Sequence, residues 1–298
     1  MTLRGAALSL LTIAAASLAL PGALTAGPIA APPAAEAFMV GGLKLFALRD
    51  ARYVAANDGR TFGVDVGPAA VAALLSKASL PTDHIDLSVD ALLVIVPGHV
   101  ALIDTGLGPK AHGGLIASLK AAGFDPAEVT DVLITHSHGD HIGGLLDAAG
   151  AAAFPKATVR LSAKEWAWIQ TQASSAGLVA AIGPKVKTFE PGAPILPGIT
   201  PVGLGGHTPG HVGYEIVSNG ARLLDIGDSA HSSIVSLARP EWTMGFDNDP
   251  VAGKSSRRDT LAMLAKTHEL VFAPHFPFPG VGRIEASGAG YAWKAGLK

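Results

Sequence analysis

Cysteine is absent from the 298-residue chain, which excludes disulfide cross-links and any metal site built on thiolate ligands. Charged residues make up only 15% of the chain, and the formal net charge of −2 shows no basic excess. Nucleic-acid binding requires clustered Lys and Arg, so we expect no nucleic-acid partner. The one short basic stretch, 254–258, is interpreted as the solvated start of a helix. The chain is 49% hydrophobic, which is typical of a globular protein.

The N-terminal apolar run is shorter than the about 20 residues that a membrane-spanning helix needs. The run extends from Ala6 to Leu20, follows Arg4 and precedes small residues and prolines. This order is typical of a secretory signal peptide. We expect residues 1–37 to be a signal peptide and a disordered start, with cleavage near residue 26 or 37. The sequence therefore predicts an exported protein, periplasmic or secreted, with no permanent membrane anchor and one folded domain over 38–298.

Strands and helices are predicted along the whole of this domain. Two apolar runs, 92–96 and 100–104, flank Pro97-Gly98-His99, which is typical of a β-hairpin. Apolar periodicity predicts helices over 112–122, 142–149, 163–172 and 257–268, and further strands over 132–135, 158–162, 199–204, 214–217, 222–226 and 270–273. Two mixed sheets packed face to face, with helices outside, would bury this much strand. We expect an α/β (α+β) fold of this kind, a four-layer αβ/βα sandwich.

Three imidazoles and one carboxylate fall within the six residues His136-Ser137-His138-Gly139-Asp140-His141. They follow the predicted strand 132–135, so the loop after it can direct His136 and His138 towards one point. The next turn can direct Asp140 and His141 towards a second point, at the roughly 3.5–4 Å that separates the ions of two-metal hydrolases. Imidazole and carboxylate without thiolate suit zinc or a similar divalent ion.

Three more residues capable of binding metal each follow a predicted strand. His207 follows 199–204, Asp228 follows 222–226, and His275 follows 270–273. Taken alone, a residue of this kind is more often structural than a ligand. Functional sites are commonly built from loops at one edge of a sheet, so these residues join the six-residue motif as a candidate set of seven ligands.

This pattern resembles the metallo-β-lactamase superfamily, whose signature is His-x-His-x-Asp-His followed by a His, a bridging Asp and a last His. Within it, the chain is most similar to the exported methyl parathion hydrolases and related lactonases. The similarity covers about 40–291 and rests on 102–106, 135–144, 207–211 and 275–282. The last of these segments, His-Phe-Pro-Phe-Pro-Gly-Val-Gly, is the narrower match and points to the parathion hydrolases.

The resemblance implies two divalent metal ions, with zinc expected, held by the seven candidate ligands. The first ion would take His136, His138 and His207, the second would take Asp140, His141 and His275, and Asp228 would bridge them. Asp104 would orient a ligand through a hydrogen bond, although its position also fits an Asp that caps the turn at a strand end. His211 is expected to be structural or to lie behind the ligands.

A hydrolase is the function that the resemblance implies, with a hydroxide between the two ions attacking a small-molecule substrate. We expect a lactone or an aryl ester. An organophosphate triester is the alternative, because the same site serves both reactions. A non-catalytic, exported metal-binding module is a further alternative, although no ligand of the set is missing. A homodimer is compatible with the resemblance.

His231 is the residue that favours the ester or lactone. It lies three positions after Asp228, where the homoserine lactonases of the superfamily have Tyr and the parathion hydrolases resemble one another in being apolar. A side chain that carries a proton can stabilise the oxyanion formed from a carbonyl. We therefore expect Asp140, Asp228 and His231 to take part in catalysis. An exposed loop position is the other interpretation of His231.

Aromatic side chains near the motifs suggest a substrate pocket. Trp168, Phe62 and Phe276 are expected to line it and to contact an aryl group. Trp166 and Trp168 also fit a helix that packs on the sheet.

Overall fold

The computed structural model describes residues 26–297, so most of the predicted signal peptide lies outside the described residues. The strands are β1 Gly27–Ala30, β2 Ala35–Val40, β3 Leu43–Ala56, β4 His84–Val96, β5 His99–Ile103, β6 Asp131–Leu133, β7 Thr158–Ser162, β8 Val186–Phe189, β9 Ile199–Gly203, β10 Val212–Ser218, β11 Ala221–Asp225, β12 Leu270–Phe272, β13 Val281–Ser287 and β14 Gly290–Ala295. The α-helices are α1 Pro68–Lys77, α2 Leu115–Ala121, α3 Gly139–Ile142, α4 Ala163–Gln170, α5 Ala176–Ile182, α6 Val235–Ala238 and α7 Pro250–Thr267. Over 26–297, none of the helices combines the length and the apolar character needed to cross a membrane.

The strands form two mixed sheets. One has eight strands in the order β1-β3-β4-β5-β6-β7-β8, with β2 also paired to β3. The other has six strands in the order β14-β13-β12-β11-β10-β9. Parallel pairs join β5 to β6, β6 to β7, β7 to β8 and β11 to β12, and the other pairs are antiparallel.

Apolar side chains on both faces of each sheet explain the layered packing. In β4, Leu92 and Val94 point into the core between the sheets, whereas Ala91 and Leu93 point into a second core under α2, α4 and α5. On the other sheet, Leu261 of α7 packs into a third core with strand residues. The layers are therefore helix, sheet, sheet and helix. The predicted fold, an α/β (α+β) four-layer αβ/βα sandwich, is confirmed.

Two of the described strands begin before the expected domain boundary at residue 38. β1 and β2 both pair with β3, with Pro28 opposite Tyr53 and Ala37 opposite Phe46. The Ala/Pro-rich sequence carries no apolar alternation, so it suggested a disordered start. The long strand β3 nevertheless provides backbone partners that do not depend on side-chain pattern.

The helix predicted over 142–149 is also wrong. α3 ends at Ile142, and a single 3₁₀ turn over Gly143–Leu145 follows it. A Cβ atom on Gly143 would lie 2.2 Å from the carbonyl oxygen of Leu107, and one on Gly144 would lie 2.1 Å from that of Thr105. The glycine pair therefore serves close backbone packing, and it also weakens the helix.

Candidate metal centre

All seven predicted ligands meet at one edge of the sandwich. Those of the six-residue motif lie after β6 and on α3, and those of the other sheet follow β9, β11 and β12. Possible ligand atoms lie within 4.8 Å of one another in two groups: His136, His138, His207 and Asp228, and Asp140, His141 and His275. A third group of the same kind contains Asp228, His231 and His275.

Asp228 lies between the two main groups and divides its oxygens between them. Its Oδ2 lies 3.1 Å from His207 Nε2 and 3.5 Å from His136 Nε2. Its Oδ1 lies 3.2 Å from His141 Nε2 and 3.1 Å from His275 Nε2. Ligand atoms around a tetrahedral zinc ion are about 3.3 Å apart, since each bond is about 2.0–2.1 Å long. The spacing therefore fits one carboxylate oxygen for each of two ions.

His138 and Asp140 complete the two groups. His138 Nδ1 lies 2.9 Å from His207 Nε2. Asp140 Oδ2 lies 3.5 Å from His275 Nε2 and 3.8 Å from His141 Nε2. Each group thus offers imidazole nitrogens together with a carboxylate oxygen, which suits borderline divalent ions such as zinc.

Several buried polar atoms in this centre have no hydrogen-bond partner among the described residues. Within 26–297, His136 Nε2, His141 Nε2 and Asp228 Oδ1 are buried and form no hydrogen bond. A buried polar atom without a partner costs free energy. Coordination of a cation is an interaction that would satisfy these three atoms together, so the donor set fits a bound metal pair.

Three imidazoles are oriented by the same kind of hydrogen bond, in which Nδ1–H donates to an oxygen behind the ring. The bonds are His141 to Asp104 Oδ2 at 2.8 Å, His207 to Asp247 Oδ1 at 3.0 Å, and His275 to the carbonyl oxygen of Ser88 at 2.8 Å. Because Nδ1 carries the proton in each bond, Nε2 presents its lone pair to the centre.

Asp104 also holds the backbone in place. Its Oδ1 accepts a hydrogen bond from the Thr135 N–H at 2.8 Å, and its Oδ2 accepts one from the Thr135 hydroxyl at 2.7 Å. The same carboxylate therefore fixes the chain after β6 and orients His141. The orienting role expected for Asp104 is therefore the one that its side-chain hydrogen bonds fit, since within the described residues they go to Thr135 and His141 and not to the turn that follows β5.

His211 uses both ring nitrogens on the backbone. Its Nδ1 donates to the carbonyl oxygen of Leu204 at 2.8 Å, and its Nε2 accepts from the N–H of Asp228 at 3.0 Å. A Cβ atom on Gly227, whose φ is +45°, would lie 2.5 Å from His211 Nε2. His211 thus lies behind the ligands and fixes the backbone of Asp228.

The charge distribution favours the ligand forms of Asp228, His136 and His138, whereas Asp228 raises the pKa of His141, His207 and His275 against the effect of burial, so that a bound cation would displace a proton from these three rings. Burial would raise the pKa of Asp228, but the surrounding imidazoles hold it well below its usual range. Burial lowers the pKa of His136 well below its usual value, and burial together with His207 lowers the pKa of His138 to about 4. The centre therefore holds an ionised carboxylate beside two neutral imidazoles.

Comparison with known proteins places this geometry in a family. The model of the metallo-beta-lactamase superfamily matches residues 84–275, more than half of the chain. The chain belongs to the metallo-beta-lactamase superfamily. Solved structures and one curated protein show how far the similarity extends.

One similar structure is that of AidC, a dizinc quorum-quenching lactonase in complex with the product N-hexanoyl-L-homoserine. This chain is 28% identical to AidC in sequence, with a TM-score of 0.83, and the match covers 88% of this chain and 97% of AidC. AbOPH, a hydrolase in the beta lactamase superfamily, is 29% identical, with a TM-score of 0.78 over 90% of this chain and 97% of AbOPH. The uncharacterized protein YobT of Bacillus subtilis is 26% identical over 168 residues, which are 53% of this chain and 70% of YobT. The likeness to the two structures therefore extends over most of the chain.

In this member of the superfamily, a buried ion pair supports His207 from behind. Arg257 NH2 donates to Asp247 Oδ2 at 2.7 Å, while Asp247 Oδ1 accepts from His207. Arg257 Nε also donates to the carbonyl oxygen of Ser229 at 2.9 Å, next to Asp228. Arg257 is only 3% exposed and lies inside α7, so the interpretation of 254–258 as a solvated helix start is wrong for Arg257, although Arg258 is exposed.

Glu165 is a second residue that the sequence did not reveal. Its Oε1 accepts hydrogen bonds from the backbone and hydroxyl of Ser137, and its Oε2 accepts from the Thr208 hydroxyl and the Gly210 backbone, all at 2.6–2.9 Å. Ser137 lies in the six-residue motif and Thr208 follows His207. Glu165 therefore joins the ligand loops of the two sheets. A glutamate on a helix usually faces solvent, so its residue type carried no signal.

A cavity of about 550 Å³ opens onto the centre formed by the seven candidate ligands. Its polar side is formed by His138, Gly139, Asp140, Asp228, His231 and His275. Its other walls are Pro28, Tyr53, Leu87, Leu107, Ala111 and Phe246. A mainly apolar cavity with a few convergent polar groups is typical of a small-molecule site.

Two of the predicted pocket residues lie elsewhere. Phe276 is fully buried in the core under α7, where its ring meets Trp293 edge-on at 4.9 Å. Phe62 is 3% exposed and packs with Val71 and Met244 in a separate cluster. Their assignment to the substrate pocket is wrong, because both side chains point into apolar cores.

The sequence predicts either that Trp168 lines the substrate pocket or that Trp166 and Trp168 pack their helix on the sheet. Trp166 packs against the core under the helices. Trp168 is half-buried, and its ring lies 6.3 Å from the ring of His138, edge-on. Trp168 therefore lies beside the first ligand group, although it does not line the 550 Å³ cavity.

His231 is buried at the edge of the centre, with 2% of its surface exposed. Its Nε2 lies 3.0 Å from Asp228 Oδ2, and its ring stacks parallel to that of His275 at 5.3 Å. Within the described chain its Nδ1 forms no hydrogen bond. The interpretation as an exposed loop residue is wrong, because His231 lines the cavity.

Proposed function

We propose that the protein is a metal-dependent hydrolase that opens lactones or cleaves aryl esters, with two divalent ions, zinc by preference, held by the seven ligands. The observation that carries the proposal is the division of the Asp228 oxygens between two ligand groups at the end of an apolar cavity. Two ions bound there would lower the pKa of a water towards about 7 and polarise a carbonyl oxygen.

The chain supplies positioning and proton transfer. Asp140 belongs to the second ligand group and also lines the cavity, so its carboxylate is placed to take up a proton at the reacting end. His231 lines the same end and carries a ring N–H that can donate to an oxyanion. Hydrogen bonds to Asp104, Asp247 and the Ser88 carbonyl oxygen hold three ligand rings in a fixed orientation. This limits the movement of the ligands during the reaction.

The walls of the cavity support the proposed substrate class. A volume of about 550 Å³ with mostly apolar walls suits a small molecule that carries an alkyl or aryl group. The similarity to AidC, a lactonase whose structure holds an acylated homoserine, supports a lactone. Hydrolysis of organophosphate triesters is the second candidate, because the segment 275–282 resembles the methyl parathion hydrolases. Export and self-association stay predictions of the sequence.

A substrate panel on metal-reconstituted protein tests this proposal. We expect two ions per chain and hydrolysis of homoserine lactones, aryl lactones or aryl esters that is lost after chelation and restored by zinc. Faster hydrolysis of phosphotriesters than of any carbonyl substrate would favour the second candidate. Two bound ions with no hydrolysis of any ester, lactone, cephalosporin or triester would favour a binding module, and failure to bind metal would end the proposal.

The variant His231→Leu is expected to separate the carbonyl reaction from the phosphoryl one. Loss of one donor to an oxyanion typically costs about 10²–10³-fold in kcat, so the lactone reaction should fall by that order. A paraoxon-type triester, which does not form a carbonyl oxyanion, should lose much less. Steady-state kinetics on both substrates, together with the metal content, make the measurement.

The variant His231→Gln is the matched control, because its side-chain amide keeps an N–H donor at this position. We expect it to retain more lactone activity than His231→Leu. Equal losses on the two substrates, or a reduced metal content in the leucine variant, would remove the role of His231 as a donor to substrate.

A further inference from the structure

A short loop separates the substrate cavity from a second cavity. This partition loop, 106–114, connects β5 to α2. Its residues Leu107 and Ala111 line the 550 Å³ cavity, whereas Gly108, Pro109 and Gly113 line a cavity of about 320 Å³ on the other side. The position of one loop therefore sets the width of the substrate cavity, and there is space behind the loop.

Both ends of the partition loop are tied to one carboxylate. Asp50 of β3 is 1% exposed, and its Oδ2 accepts a hydrogen bond from the Leu107 N–H at 2.7 Å. Its Oδ1 accepts from the Leu115 N–H at 2.9 Å, and its backbone carbonyl accepts from the Gly114 N–H at 2.9 Å. Only a side chain with two acceptor oxygens can hold both ends in this way.

Glycines make room for this contact. A Cβ atom on Gly106 would lie 2.3 Å from Asp50 Cγ, and one on Gly113 would lie 2.6 Å from Asp50 Oδ1. The β3–β4 register shifts between Arg49 and Ala51, so Asp50 itself is left out of the strand pairing. Burial raises the pKa of its carboxyl to about 6, although the backbone amides oppose this change. The carboxylate is thus buried at a cost in free energy, and the hydrogen bonds that the structure gives it come from backbone amides at the two ends of the loop.

The partition loop also packs on the segment that carries ligands. A Cβ atom on Gly108 would lie 2.0 Å from the carbonyl oxygen of Gly143, directly after α3. The N–H of Thr105 donates to the carbonyl oxygen of His141 at 2.7 Å. The loop is therefore confined by α3 at one side and by Asp50 at its ends.

We propose that Asp50 is a positioning residue that fixes the partition loop and thereby sets how large a substituent the substrate cavity accepts. The proposal rests on the hydrolase function proposed above. When the two side-chain hydrogen bonds weaken, the loop can move into the 320 Å³ cavity, away from the substrate. Large acyl or aryl groups would then bind differently, while short substrates would be little affected.

The variant Asp50→Asn tests the proposal, because it keeps the shape but replaces one acceptor oxygen by an N–H donor. Amide hydrogen exchange at Leu107 and Leu115 is expected to accelerate by at least about tenfold, as the loss of a hydrogen bond to a charged group implies. Across N-acyl homoserine lactones of increasing chain length, the KM ratio of the longest to the shortest should change by about fivefold or more. The kcat for the shortest lactone and the metal content should stay within about twofold.

Asp131→Asn is the matched control, since Asp131 is buried in the same sheet but accepts its hydrogen bonds from Arg160, His99 and Thr130, away from the loop. It should leave exchange at Leu107 and the KM ratio unchanged. If Asp50→Asn does not fold, Gly113→Ala displaces the same carboxylate from outside β3 and should give the same two effects.

Unchanged exchange at Leu107 and Leu115 overturns the proposal, and so does an equal change of KM at every chain length. Faster exchange with an unchanged KM ratio overturns it as well, because the loop would then be held without setting the cavity. If the wild-type protein hydrolyses no lactone, the proposed function fails by that result alone. Dissociation constants of open-chain N-acyl homoserines then replace KM in the comparison.

Discussion

Replacement of Asp228 by asparagine is expected to lower kcat/KM by at least about 10³-fold on every substrate that the wild-type protein hydrolyses. The two oxygens of Asp228 face different ligand groups, and asparagine keeps only one of them. Its NH₂ group would instead point at the Nε2 lone pairs of one group. Loss of a shared ligand removes several kcal/mol of charge stabilisation, which corresponds to about three orders of magnitude in rate.

Metal analysis and steady-state kinetics on Asp228→Asn make the measurement, with a fall from two ions per chain as the accompanying result. Asp225→Asn is the control, three positions upstream on β11. Burial, with a contribution from Asp104, raises the pKa of Asp225 well above its usual range, so asparagine resembles its neutral form. Two retained ions with wild-type kcat/KM in Asp228→Asn would contradict the assignment of a bridging role.

The fold could be predicted from the sequence because both faces of the central strands are covered by apolar side chains. β4 is apolar at consecutive positions, since Leu92 and Leu93 enter different cores. This pattern predicts a strand buried on both sides, which in turn requires helices outside two sheets. Boundaries were less accurate where backbone packing decides them, as at Gly143 after α3 and at the start of β1.

The candidate ligands could be selected from sequence because four of them fall in one six-residue motif after an apolar strand and the other three each follow an apolar strand within a few residues. The residues that support these ligands could not be selected from sequence. Asp247 reaches His207 across 40 positions and belongs to a loop without periodicity, and Glu165 looks like any helical surface residue. Hydrogen bonds of this kind depend on three-dimensional proximity, which the fold alone creates.

The cavity walls were the least predictable part. Pro28 and Tyr53 become neighbours only through the β1–β3 register, and Phe246 comes from a loop far along the chain. Phe276 is adjacent to a ligand in sequence, yet its side chain points away from the centre into the core under α7. Proximity in sequence to a ligand is therefore a poor guide to contact with substrate.

Replacement of Arg257 by methionine is expected to destabilise the protein by about 3–5 kcal/mol, because it leaves the Asp247 carboxylate buried without its cation. Arg257 and His207 both lower the pKa of Asp247 against the effect of burial, so the carboxylate is ionised in the folded protein. The affinity for zinc should fall by about 10- to 100-fold, since Asp247 also orients the His207 ring. Denaturant unfolding and zinc titration measure the two effects.

Two comparisons distinguish the loss of the ion pair from the loss of an arginine in α7. Arg258→Met changes the exposed neighbour of Arg257 and should alter the unfolding free energy by less than about 0.5 kcal/mol. The double variant Asp247→Asn, Arg257→Met should be more stable than Arg257→Met alone, because no unpaired charge remains and asparagine can still accept from His207 Nδ1. If the double variant is instead less stable than Arg257→Met, the Asp247 carboxylate stabilises the protein through His207 even without its cation, and the unpaired charge is not what destabilises the single variant.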